Sequence, residues 1–294
     1  MTILSRYVEL HPASRRLSER AVAIFPDGVT HDMRRNSPFS LYVARAARSR
    51  KWDVDGNELV DYVMGHGALL LGHNHPDVMA AVEAQARLGT HYGASHELEI
   101  RWGELVQRLV PSAKRLRFTS SGTEATMMAI RLARAYTGRE KVLRLRDHFH
   151  GWNDSVTGQP AAEQTVPSSP GLPHGILAAS IVIPQNDIDV LERTVREDGG
   201  AIAAMILETT GAHWGTDPID RACVERAREL TSQHGIVLIF DEVIHGLPRV
   251  ARRCATGVRH HARHDHDGED HRRRPAGRLR GGPRGDHRPD RGAR

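Results

Sequence analysis

Three stretches of the sequence carry groups able to do chemistry. The first is Phe118 to Gly138, FTSSGTEATMMAIRLARAYTG, which reads as strand, tight turn and helix. Ala125, Met128, Ala129, Leu132, Ala133 and Tyr136 recur at helical spacing, and Gly138 suits a C-cap. The helix therefore begins near Thr123, directly after Ser120, Ser121 and Gly122. A helix N-terminus presents unpartnered N–H groups and the positive end of its dipole; with hydroxyls beside it, it suits a phosphate monoester. The same residues also describe an ordinary Ser/Thr N-cap. The second stretch, Ile236 to Val243 (IVLIFDEV), is an apolar run that delivers Asp241 to its end. Open α/β sheets place their ligands at that edge. Asp241 could cap a helix, hold Mg²⁺ as a Walker B carboxylate, or pair with the protonated nitrogen of a pyridoxal phosphate ring. The Mg²⁺ reading requires a G-x-x-x-x-G-K-[ST] partner, and the sequence contains none.

A third stretch, Arg146 to Trp152 (RDHFHGW), follows the apolar run KVLRLR and sets an aromatic between two His. That aromatic could stack on a flat ring, or it could be a core residue beside a turn. The elements that must hold these groups are legible as alternation. Helical periods such as HPDVMAAVEAQARLG alternate with short apolar runs: RLRFTS, KVLRLR, SIVIP, AIAAMILE and IVLIFDEV. Such alternation predicts an α/β fold with a mostly parallel sheet, its strands covered on both faces. Upstream, SRRLSERAVAIF predicts a helix, and Asp55-Gly56 predicts a hairpin turn within RKWDVDGNELVDYV. The segment from Gly158 to Gly175 reads as a long Pro- and Gly-rich loop.

Composition divides the chain. Residues 247–294 hold 14 Arg, no Lys and six acidic residues, a net charge of +8. The other 246 residues keep 27 basic and 30 acidic side chains, so the net charge of +5 belongs to the tail. Every aromatic, Met and Ile also precedes residue 247. Such a tail cannot bury enough apolar surface to offset its ordering entropy, and it is expected to be disordered. Two cysteines, Cys223 and Cys254, imply no disulfide framework, and neither a signal-like apolar region nor a membrane-length run is present. A cytoplasmic protein without a membrane partner is expected.

Several motifs together resemble one family. RFTSSGTEATMMAIRLARAYTGREK, HFHGW, VPSSPGLP and LIFDEVIHG occur in the order and spacing of the class III aminotransferases, in particular glutamate-1-semialdehyde 2,1-aminomutase. WDVDGNELVDYVMGHGALLLGHNHP and GASHELEIRWGELVQRLVPS resemble the same family upstream. The resemblance implies a fold-type-I pyridoxal phosphate enzyme, usually a homodimer, moving an amino group on a small amino acid or a keto/aldehyde substrate. It assigns Ser121, Gly122 and Thr123 to the phosphate turn, and Phe149 to stacking on the ring. It assigns Asp241 to the ring nitrogen, Val243 to the ring's other face, and Glu208 to a place near the cofactor. Arg34, or its neighbour Arg35, falls where the aminomutase has an arginine for the substrate carboxylate; a solvated loop arginine is the alternative. The VPSSPGLP segment falls at a mobile active-site loop. Residues 1–65 correspond to the small-domain side, 66–246 to a shortened cofactor-binding large domain, and a C-terminal small domain is expected to be missing.

Chemistry of this kind needs a lysine to hold the cofactor covalently and to carry a proton between carbons. The sequence has only Lys51, Lys114 and Lys141, none at the family's position downstream of the Asp motif. No catalytic residue is therefore assigned within the chain. The tail suggests the reason. With permitted codons, RHDHDGEDHRRRPAGR, Arg263 to Arg278, reads one base later as DMTTMAKIIAGGLPG, much like the family's lysine segment. The lysine triplet then straddles the codons of Glu269 and Asp270, and one constant offset serves the whole tail. Residues 247–294 are accordingly expected to be out of frame and the chain inactive. The rival readings are a basic nucleic-acid arm on a non-catalytic binding protein, or a metal-binding His/Asp cluster in HHARHDHDGEDH. Neither has an aromatic platform or defined ligand spacing, so no specific nucleic acid is expected.

Overall fold

The structure, a computed structural model, describes residues 2–157 and 171–246. In chain order its elements are α1 (Ile3–Leu10), α2 (Pro12–Val22), β1 (Val43–Ala47), β2 (Arg50–Asp53), β3 (Glu58–Val60), α3 (Pro76–Ala86), α4 (Glu97–Leu109), α5 (Gly122–Thr137) and β4 (Lys141–Leu145). There follow α6 (Asp154–Thr157), α7 (His174–Ala178), β5 (Ser180–Ile183), α8 (Ile188–Asp198), β6 (Ile202–Glu208), α9 (Ala212–Gly215), α10 (Arg221–His234) and β7 (Val237–Asp241).

The N-terminal sheet is antiparallel in the order β1-β2-β3. Its hairpin turns at Gly56, whose φ of 90° suits glycine. The acidic residues of the turn also seat the first helices. Asp55 accepts the N–H groups of Ala13 (2.6 Å) and Ser14 (2.9 Å), orphan donors of the first turn of α2. Asp53 accepts from the Asn57 N–H and pairs with His11 Nδ1 at 2.7 Å. The expected helix and hairpin are thus present and tied to each other. The strand β1 is an addition that the apolar pattern did not signal, because VARAA alternates weakly.

The second sheet is fully parallel, in the order β5-β4-β6-β7. Its centre is β6, all seven residues of which are buried. On one face Leu143, Leu145, Met205 and Leu207 pack with Leu191 and Val195 of α8 and with Ala227 and Leu230 of α10. On the other, Val142 and Ile206 pack with Ile130 of α5 and Val156 of α6. The predicted strands KVLRLR, SIVIP, AIAAMILE and IVLIFDEV all form. RLRFTS does not form a strand in the described residues; with no neighbouring strand to pair with, its Phe118 stacks on Trp102 of α4, centroids 3.8 Å apart.

The chain leaves β4 for β5 on one side and then returns across β4 to lay down β6. The order therefore reverses between β4 and β6, and the crevice at their C-terminal ends is where such sheets bind ligands. Most of the Gly158–Gly175 loop, including VPSSP, and the whole tail from residue 247 lie outside the described residues.

Candidate active site

Three chain segments converge at the crevice. The first is the start of α5, where Ser121 is the N-cap and its Oγ accepts the Glu124 N–H at 3.2 Å. The Glu124 carboxylate in turn accepts the Ser120 N–H at 2.7 Å. The N-cap reading of Ser121 therefore holds, and it leaves the N–H groups of Gly122 and Thr123 as the helix's leading donors. A Cβ on Gly122 would lie 3.0 Å from Val243 Cγ1, so the missing side chain lets the residue after β7 close against the helix end. The helix ends as expected at Gly138, φ 69°.

The second segment is His148-Phe149-His150-Gly151, which continues from β4. Alternation along it sends the two His inward and leaves Phe149 exposed. Glu208, the last residue of β6, gives its N–H to His148 Nδ1 (2.8 Å) and takes the Phe149 N–H on its carboxylate (2.7 Å). His148 Nε2 then donates to Gln185 Oε1 at 2.6 Å, which fixes a neutral ring. Burial, above all, pushes the His148 pKa down. Burial likewise raises the Glu208 carboxyl, against the lowering effect of the Phe149 N–H. Gly151 has φ 91°, and a Cβ there would lie 2.8 Å from Thr123 Cα; this close approach lets the Trp152 N–H reach Thr123 Oγ1 at 3.3 Å.

The third segment is the end of β7. Asp241 stands directly beside Glu208 in the strand register. Its Oδ2 takes the Nδ1–H of His150 at 2.8 Å, and its Oδ1 the Val243 N–H at 3.2 Å.

Gly122, Thr123, Phe149, Glu208, Asp241 and Val243 all line one cavity of about 190 Å³. The positions expected from sequence thus meet, apart from two. Ser121 adjoins the cavity but spends its oxygen on the helix cap. Arg34 is not brought to it: the guanidinium of this exposed side chain donates to Thr30 Oγ1 at 3.0 Å. Instead His31, Asp32 and Met33 of the same turn line a second cavity, of about 520 Å³, which shares Thr123, Phe149 and Glu208 with the first. Arg35 is also turned away, to Asp27 at 3.1 Å. His148, His150, Gln185 and Thr126 were not assigned a role from sequence. The period-two pattern of HFH after a strand was the available signal for the two histidines.

No lysine lines either cavity. Lys51 is engaged by Asp61 (3.3 Å). Lys141, at the opposite end of β4, is engaged by Asp198 (2.5 Å). Lys114 follows α4, away from the crevice, its carbonyl accepting from Gln107.

A helix end with free donors, an exposed aromatic and a strand-end carboxylate, around one small cavity, fit a phosphorylated pyridine ring. The profile of the class-III aminotransferases matches residues 32–261. The chain belongs to that family. Glutamate-1-semialdehyde 2,1-aminomutase of Methanopyrus kandleri is 41% identical over 243 residues, covering 82% of this aminotransferase-family chain and 56% of that protein. An omega-transaminase from Sphaerobacter thermophilus superposes with a TM-score of 0.75 at 36% identity, over 84% of this chain and 58% of its own. A transaminase with PLP bound gives 0.74 at 32% identity, over 79% and 55%. The chain spans just over half the length of the curated relatives that it matches. The fold is that of the fold-type-I enzymes, and the family's cofactor is pyridoxal phosphate. Among the described residues, no helix is long and apolar enough to cross a membrane.

Proposed function

We propose that this chain carries the phosphate- and ring-binding part of a pyridoxal phosphate-dependent aminotransferase or 2,1-aminomutase, and that the 294-residue chain is not itself a catalyst. The observation that supports this most is the meeting of Asp241, Phe149 and the start of α5 around a cavity that no lysine lines. The N–H groups of Gly122 and Thr123 and the Thr123 hydroxyl would bind the phosphate. Phe149 and Val243 would cover the two ring faces, and Asp241 would accept the ring N–H. Bound there, the cofactor supplies an electron sink. Glu208 holds the Phe149 backbone and sits where the two cavities join, beside the path to the substrate. The substrate class is a small amino acid or a keto/aldehyde compound, entering through the larger cavity.

The apolar side chains exposed on α3 and α4 favour a second copy of the chain as their cover, giving a homodimer. The few cysteines suit the cytoplasm. Residues 247–294 are taken to be out of frame, on the strength of their composition and the single base offset.

Incubation with pyridoxal phosphate, borohydride reduction and peptide mapping test the central point. The expected result is no stoichiometric pyridoxyl-lysine. One clean adduct at Lys51, Lys114 or Lys141 overturns the reading. Removing one base near the codon of Gly246 should extend the frame and give a single adduct at the restored lysine; an early stop codon in that frame counts against the out-of-frame tail.

A further inference from the structure

The two buried histidines beside the cavity differ in a way that assigns them different tasks. His148 has both ring nitrogens satisfied by the scaffold, Nδ1 by the Glu208 N–H and Nε2 by Gln185. It is a structural residue that ties β4 to β6. The His150 side chain is completely buried, yet its Nε2 has no hydrogen-bond partner in the described structure. Its one ring hydrogen bond is Nδ1 to Asp241 Oδ2, 2.8 Å, and the Asp241 side chain is itself only 7% exposed. A carboxylate only accepts, so Nδ1 carries the hydrogen. A buried polar ring with one unmet nitrogen is costly as packing material, and an apolar ring would fill the space at lower cost. The feature that distinguishes an imidazole here is the donor it gives to Asp241.

We propose that His150 is a positioning residue for Asp241, its Nδ1–H holding the carboxylate turned toward a ring N–H in the cavity. The proposal rests on the pyridine-binding reading of this site. Its geometry is over-determined. The His150 carbonyl takes the Thr126 hydroxyl of α5 at 2.7 Å, and the Val243 N–H takes the second carboxylate oxygen. The imidazole, the helix and the strand end therefore lock together before any ligand enters. A hydrogen bond to the charged form of a carboxylate favours that form, and an anion in place favours protonation of the pyridine nitrogen it meets. The other ionisable groups around the pair are Glu208 of β6, His148 (ring centroids 6.0 Å from His150) and His245 after β7. All three stay constant in the comparison below.

The test uses the 294-residue chain and pyridoxamine 5′-phosphate, which needs no lysine. Binding is followed by fluorescence, and the protonation of the bound ring nitrogen by its absorbance across pH. The unaltered chain should keep the ring protonated to higher pH than free ligand does, and Asp241→Asn should abolish that difference. His150→Phe and His150→Leu should lower the apparent ring pKa by about one unit and weaken binding about tenfold, the scale of one charge-assisted hydrogen bond. His150→Asn, whose amide can place an N–H near the Nδ1 position, should recover most of both. A merely structural His150 would lower the melting temperature in every variant without moving the ring titration, and that result overturns the proposal. So does unfolding of both the Phe and Leu chains, by circular dichroism, while the Asn chain folds. A response to Asp241→Asn with none to the His150 variants sinks this proposal alone. No binding by the folded unaltered chain removes the pyridine-site reading and this proposal with it.

Discussion

The parallel sheet and the α3–α4 region both carry many apolar residues, but they use them differently. Every residue of β6 is buried, whereas α3 and α4, 11 and 13 residues long, bury none. Ile100, Trp102 and Leu105 of α4 and Val78 and Val82 of α3 stand exposed. The sheet has helices on both faces and completes its own core; α3 and α4 have an apolar side and nothing within the described chain to cover it. The candidate site lies wholly on the self-sufficient side, at the edge of the sheet. A cavity of about 920 Å³ between α3 and α4 marks the uncovered faces and holds none of the site groups. The local chemistry of the crevice therefore depends on the sheet and not on α3 and α4.

The sharpest way to break this contrast is to remove the same kind of side chain from each region. Leu207→Ala, in a fully buried position, should cost about 2–5 kcal/mol of unfolding free energy, while Ile100→Ala should cost less than about 1 kcal/mol in the monomeric chain. Urea denaturation measures both, and equal losses would mean that α4 is part of the same core. The next effect belongs to the approach of β4's extension to α5. Gly151→Ala forces a side chain into a left-handed conformation and against Thr123, for a loss of about 1–3 kcal/mol. A thermal melt unchanged by this substitution would show that the approach is not tight. Smaller again is Thr126→Val, which removes the hydroxyl given to the His150 carbonyl and should cost about 1 kcal/mol in urea.

The smallest effect is on pH dependence. Unfolded, a histidine takes up a proton near pH 6.5; buried His148 resists, so protons favour the unfolded chain. Its contribution is full above 6.5 and is lost as pH falls toward the depressed folded value. Glu208 acts in the opposite sense: its raised carboxyl gives a contribution that is full below 4.5 and lost as pH rises through the folded value. Thermal melts between about pH 7 and 5.5 should therefore fall less steeply for His148→Gln than for the unaltered chain. A steeper fall would reverse the assigned sign.

Much of the sheet was legible because its strands are continuous apolar runs bounded by turns, a pattern that survives without tertiary information. Asp241 and the start of α5 were legible for the same reason, since each sits at the end of such an element. RLRFTS misled because a strand needs a neighbour, which no run of side chains records. Arg34 misled because the short turn at residues 32–34 decides which of several adjacent side chains faces the cavity, and it presents Met33 and Asp32 instead. The pairing of His150 with Asp241 joins positions 91 residues apart. Only the register of β4, β6 and β7 brings them together.

Hydrogen exchange with and without pyridoxamine 5′-phosphate tests the central claim most directly, because it reads both regions in one experiment. Ligand should slow exchange in peptides covering residues 119–126, 147–152 and 238–245, the three segments that meet at the crevice. Peptides covering residues 76–109 should exchange rapidly in both states. Protection confined to 76–109, or none at the sheet edge in a chain that binds the ligand, would contradict the account.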